Sequence, residues 1–174
     1  MGKQNYSVDL VRQMAECDAN YIRLLKLVPQ LQMHRKRNFP GQEPAMEVSR
    51  EQAAARRRDQ DEPEKILEGE SIEFYIADLE DPQQKASVEI TIVEAFRYTA
   101  TLQIVQKPPF KKWMTNPSML VRVYHDASTA EVVSYQGHRN FKARYSQPNP
   151  RMYHADEKMQ VNAFLGEWLT HCLR

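Results

Sequence analysis

Residues 87–106 read SVEITIVEAFRYTATLQIVQ, and their apolar side chains recur at every second position. Val88, Ile90 and Ile92 share one side of an extended chain, with Glu89 and Thr91 on the other. Tyr98, Ala100, Leu102 and Ile104 repeat the pattern against Thr99, Thr101 and Gln103. A period of two marks β-strands with one face in a core. The intervening EAFR has no glycine, so a hairpin here is not of the tight two-residue kind, and one long bent strand competes with it.

Upstream, SIEFYIADL alternates Ile72, Phe74 and Ile76 against Glu73, Tyr75 and Ala77, and Asp81–Pro82 marks a turn. Downstream, MLVRVYHD, AEVVSY and NFKARY each read as a strand. Six strands with short connections predict an antiparallel meander over 71–146, because parallel pairing needs crossover helices that are absent. Both ends of the sequence switch to helical period. Leu10, Val11, Met14, Cys17, Tyr21, Leu24, Leu25 and Val28 form a stripe over 7–28, with Ser7 as N-cap and Pro29 as terminator. Arg12, Glu16 and Arg23 fall on its wet side. Val161, Phe164, Leu165, Trp168, Leu169, Cys172 and Leu173 form a second stripe over 157–173, capped by Asp156. One apolar sheet face and two apolar helix stripes predict an α+β fold, a single domain over 1–174 with both helices on one face of the sheet. Residues 32–70 carry many charges and few large apolar groups, which predicts a mobile charged linker.

Composition narrows the function classes. Cys17 and Cys172 are the only two cysteines and form no CxxC, which excludes a disulfide scaffold and a zinc ribbon. No signal peptide and no apolar run of about 20 residues is present, so the expectation is a cytoplasmic protein without a membrane association. Five glycines form no phosphate loop, and no HExxH occurs, so no cofactor or metal is predicted.

The net charge is only +1, but it is the sum of opposite blocks. Ala95–Arg151 holds nine Lys/Arg against Asp126 and Glu131, a net +7. Asp59–Asp81 holds ten acids against one lysine, a net −9. Strand alternation turns Arg122, Tyr124 and Asp126 away from Val121 and Val123, and groups Arg97, Lys142 and Arg144 with them on the outer face, beside Glu131. Arginine forks match phosphate and carboxylate, so this basic face is a candidate site for an anionic partner such as a nucleotide, RNA or an acidic protein segment. The competing reading is a solvated face laced with cross-strand ion pairs, such as Arg122 with Glu131. The acidic block has two readings as well, a mask over the basic face or a solubilising linker.

Tyr124-His125-Asp126 is the one His–Asp neighbour pair on a predicted strand. Neighbours on a strand point to opposite faces, so His125 falls on the apolar side, as a hydrogen-bonded histidine at the edge of the core. A small enzyme using His125 with Asp126 or Glu131 and an arginine clamp is the alternative to a binding or adaptor module. The two cysteines sit on apolar stripes and read as buried thiols. KPPFKKWM reads as a basic–aromatic loop, suited to single-stranded nucleic acid or to tucking Trp113 against the core rim, and ARRR could track phosphates or stay solvated.

VEAFRYTA at Val93–Ala100, SMLVRVYHDASTAEV at Ser118–Val132, FKARYSQPN at Phe141–Asn149 and DEKMQVNAFLGEWLTHCL at Asp156–Leu173 resemble the YqiB-like family of small proteobacterial proteins. The first helix, ending LLKLVPQL, is similar too. The resemblance implies a bacterial cytoplasmic protein of one small domain and no assigned activity. It places Arg97, Tyr98, Arg122, Tyr124, His125, Asp126, Glu131, Lys142, Arg144 and Tyr145 in matching segments. The linker departs from the family pattern, whose members are shorter there, so any role for ARRR or the acidic block belongs to this chain alone.

Overall fold

The computed structural model describes residues 9–40, 67–77, 81, 83–107, 118–135, 138–139 and 157–174. Six antiparallel strands form one sheet in chain order: β1 (Ser71–Ala77), β2 (Lys85–Ala95), β3 (Thr99–Lys107), β4 (Ser118–Tyr124), β5 (Thr129–Tyr135) and the two-residue β6 (His138–Arg139). Among the described residues three helices complete the α+β fold: α1 (Leu10–Leu27), α2 (Pro29–Asn38) and α3 (Glu157–Cys172). No described helix is long and apolar enough to cross a membrane.

The period-two reading of the sheet holds. Ile90 pairs with Ile104, Leu102 with Val121 and Val123 with Ala130, and all six side chains are buried. The EAFR segment is a hairpin, closed by Phe96 N donating to Thr99 O at 2.7 Å. Two irregularities adjust the faces. An extra residue at Val93 exposes that side chain and returns Ala95 to the core. A second, at Val133, turns Tyr135 toward α3, where its ring meets Phe164 at 5.7 Å. Gln83 N and Gln84 N donate to Asp81, forming the turn expected there.

The helical ends differ from expectation in three ways. The cap of α1 is Asp9, whose Oδ1 accepts from Arg12 N at 3.0 Å, while Ser7 lies outside the described residues. Pro29 interrupts the helix but also opens another: Val28 is extended, as a residue before proline must be, and Pro29 takes the first position of α2, where its missing N–H costs nothing. Helical structure therefore runs to Asn38, inside the stretch read as linker; residues 41–66 lie outside the described residues.

The third difference is the buried face of α1. Cys17, Tyr21, Leu24 and Val28 are buried, but Leu10, Val11 and Met14 are exposed. Asn20 is fully enclosed, and Glu16 and Arg23, expected on the wet side, pair at 2.8 Å half-buried beside α3. Gly166 explains the placement. A Cβ there would meet Glu16 Oε1 and come within 2.9 Å of Asn20 Oδ1, so the glycine leaves room for this polar group between the helices. Asn20 Nδ2 donates to Asn162 O at 2.9 Å, and Asn162 Oδ1 accepts from Val132 N at 2.8 Å, tying α1, α3 and β5 together. Leu165 and Leu169 fill the remaining interface, and Trp168 Nε1 donates to the buried Gln106 Oε1 at 2.8 Å. Burial of each large apolar side chain stabilises the fold by about 1.5–3 kcal/mol.

Candidate functional site

The β2–β3 turn and the end of β4 meet where His125 N donates to Tyr98 O at 2.7 Å. This bond carries the alternation of β4 one residue past Tyr124, so His125 turns under the sheet and is 2% exposed. Its Nδ1 lies 3.1 Å from the Tyr21 hydroxyl. The His34 ring packs against it at 4.8 Å, and Phe39 lies 6.4 Å away. His34, itself buried, is held by Arg97 O at 3.2 Å from Nε2. A carbonyl accepts, so Nε2 carries the proton, and Nδ1 is left to accept from Asn38 Nδ2 at 3.2 Å.

The Arg35 guanidinium lies 5.0 Å over the Tyr21 ring. Burial raises the Tyr21 pKa, and Arg35 opposes that rise. Burial pushes the His125 imidazole down to about 3, with the nearby His34 and Arg35 acting in the same direction. His125 Nε2 has no hydrogen-bond partner among the described residues. The cluster pins α2 to the end of the sheet.

The outer face presents different chemistry. Arg122 stands opposite Glu131 in the register, as the ion-pair reading expects, but its nearest carboxylate is Glu94, at 3.9 Å. Glu131 is engaged elsewhere: Lys158 Nζ reaches Oε2 at 2.6 Å, and the Tyr124 hydroxyl donates to Oε1 at 3.1 Å. Burial, followed by Glu131, raises the Tyr124 pKa. Thr101 Oγ1 donates to Glu94 at 3.2 Å. Around Arg122, two cations therefore face two carboxylates.

Of the sequence candidates, the structure brings together Arg122, Tyr124 and Glu131. His125 lies on the opposite face from them, and Asp126 is exposed in the turn after β4. Arg97 sits in the β2–β3 turn with its guanidinium 5.3 Å over Tyr98. Tyr98 in turn packs on Phe39 at 5.6 Å, which places Arg97 on the α2 side. Lys142 and Arg144 lie outside the described residues, as do ARRR, NFKARY, all of KPPFKKWM after Lys107 and much of the acidic block. No three metal-ligating side chains gather among the described residues. Burial raises the thiols of Cys17 and Cys172 to about 11 and about 12, which leaves both protonated.

One set of cations was missed. From Ala19 to Gln42 the sequence has Arg23, Lys26, Arg35, Lys36 and Arg37 and no acid. Lys26 in the last turn of α1 and Lys36 and Arg37 in the last turn of α2 are exposed. The acid-free window was a readable signal, hidden by assigning its second half to a linker.

Residues 63–174 match the family model described as "Protein of unknown function (DUF1249)". The chain is 42% identical over 111 residues to the uncharacterized protein YqiB of Escherichia coli strain K12, an alignment covering 64% of this chain and 74% of that protein. The YqiB protein of Escherichia coli O157:H7 matches to the same extent. No solved structure matches.

Proposed function

We propose, for a chain that belongs to the DUF1249 family of proteins of unknown function, that it is a binding or adaptor protein for an anionic partner such as a nucleotide, RNA or an acidic protein segment. The observation that carries this reading is the run of cations on α1 and α2 with no acid in the sequence from Ala19 to Gln42, in which Lys26, Lys36 and Arg37 are exposed and Arg35 is half-buried. Arg97, with its guanidinium over Tyr98 and the Phe39 ring edge-on to Tyr98, borders the C-terminal end of α2. Arginine forks beside aromatic rings suit phosphates and bases. Arg122, on the outer face of the sheet, is 44% exposed and only loosely paired, and with Lys142 and Arg144 it would form a second cationic patch there. The enclosed, neutral His125, facing away from Glu131, supports binding over acid–base chemistry.

The test is fluorescence anisotropy of a labelled single-stranded RNA at increasing salt, with the double variant Lys36→Glu/Arg37→Glu and with Arg122→Ala. Binding that weakens with salt, and weakens further in the double variant, is expected. Competition by a polyglutamate peptide, but not by RNA, would move the reading to an acidic protein segment. Failure of both anions to bind at low salt would end it.

A further inference from the structure

We infer that the open edge of β1 takes an added strand from a protein partner: an extended segment in which Lys or Arg alternates with apolar residues. Among the described residues β1 is an edge strand, with β2 as its only neighbour in the sheet. Gly69 N donates to Ile92 O and Ile92 N donates to Glu70 O, both at 2.8 Å. Following the alternation of an antiparallel ladder from that point, Ile72, Phe74 and Ile76 bond to β2. Ser71, Glu73, Tyr75 and Ala77 then turn their N–H and C=O groups outward. All four residues are exposed. Natural edges are commonly blocked by lysine, proline or a bulge, and Ser71–Ala77 has none of these.

Charge selects the occupant. Glu73 stands directly opposite Glu89 on β2, and both are exposed. Like charges in that position repel. Glu68 and Glu70 lead into the same edge, and no described residue forms an ion pair with any of these four carboxylates. A cation placed beside Glu73 on an added strand relieves the repulsion. Tyr75, 72% exposed on the same face, offers its ring to the aliphatic stem of that cation. On the inner face Ile72 and Phe74 are half-buried, and alternate apolar residues of the partner would finish covering them. A second copy of β1 fits poorly, because Ser71–Ala77 holds one acid and no base.

The experiment is hydrogen–deuterium exchange of the full chain with two synthetic heptapeptides, one alternating lysine with valine and a twin with glutamate in place of lysine. The lysine peptide is expected to slow exchange at residues 71–77, and the glutamate peptide to leave it unchanged. Glu73→Lys should weaken the lysine peptide roughly fivefold, as the loss of one cross-strand charge pair implies. Tyr75→Pro should abolish protection, since it removes an outward N–H and keeps the bonds to β2. Unchanged exchange at Val88 and Ile90 in the peptide-free variants checks that the sheet is intact. Equal protection by both peptides, protection only elsewhere, or none at millimolar peptide overturns the inference. Concentration-dependent protection of 71–77 without peptide overturns it too, in favour of a second copy.

Discussion

The Tyr21 hydroxyl and His125 Nδ1 lie 3.1 Å apart across 104 residues of sequence, and this contact joins α1 to the end of β4. Because His125 is held neutral, with its pKa lowered to about 3 from 6.5, folding disfavours its proton. Its contribution is fully present above pH 6.5 and is lost as pH falls toward 3. The loss amounts to on the order of 5 kcal/mol. Urea denaturation between pH 7 and 4 should show a steep decline, and His125→Gln should flatten it relative to its own value at pH 7. Tyr21→Phe should cost about 1–2 kcal/mol at neutral pH, since it leaves both ring nitrogens of His125 without a described partner.

Gly166→Ala should destabilise the fold by about 1 kcal/mol or less, because the added methyl group displaces the Glu16 carboxylate and crowds Asn20 while alanine gains helix propensity. Glu16→Ala in the same chain should recover part of this loss. Thermal melts of the two single variants and the double variant would measure the coupling; strict additivity would place the clash elsewhere.

Asn162→Ala removes the acceptor for Val132 N and leaves that N–H buried at the edge of β5. About 1–3 kcal/mol should be lost. Amide exchange at Val132 should accelerate well beyond that at Ile90, in the middle of the sheet.

If the last turn of α2 contacts phosphates, Lys36→Glu/Arg37→Glu should reduce the slope of log affinity against log salt by about 1.4 for a single-stranded ligand. Anisotropy titrations at four or more salt concentrations measure it. An unchanged slope would place the contacts on other cations.

The sheet was legible because its signal is local: every second residue from Val88 to Ile92 and from Ala100 to Ile104 is apolar, and the register follows. Pro29 was harder, since one residue can both end a helix and begin the next. Glu16 and Arg23 were placed in water because a charge on a helix normally belongs there; only the absent side chain of Gly166, 150 and 143 positions away, makes room for them. Of the candidate site, the facing of Arg122, Tyr124 and His125 followed from alternation. The meeting of His34 with His125 depended on a helix that the linker reading had dissolved.

The contact between Asn20 and Asn162 spans 142 residues, and it sets a timetable for synthesis. At a ribosomal rate of about 5–20 residues per second, α1 waits roughly 7–28 s for the helix that covers it. During that interval Tyr21 and Leu24 have no α3 to pack against. Asn20, Glu16 and Arg23 give the waiting surface a hydrophilic stripe, which would keep a nascent chain from sticking to its neighbours before its last helix is made.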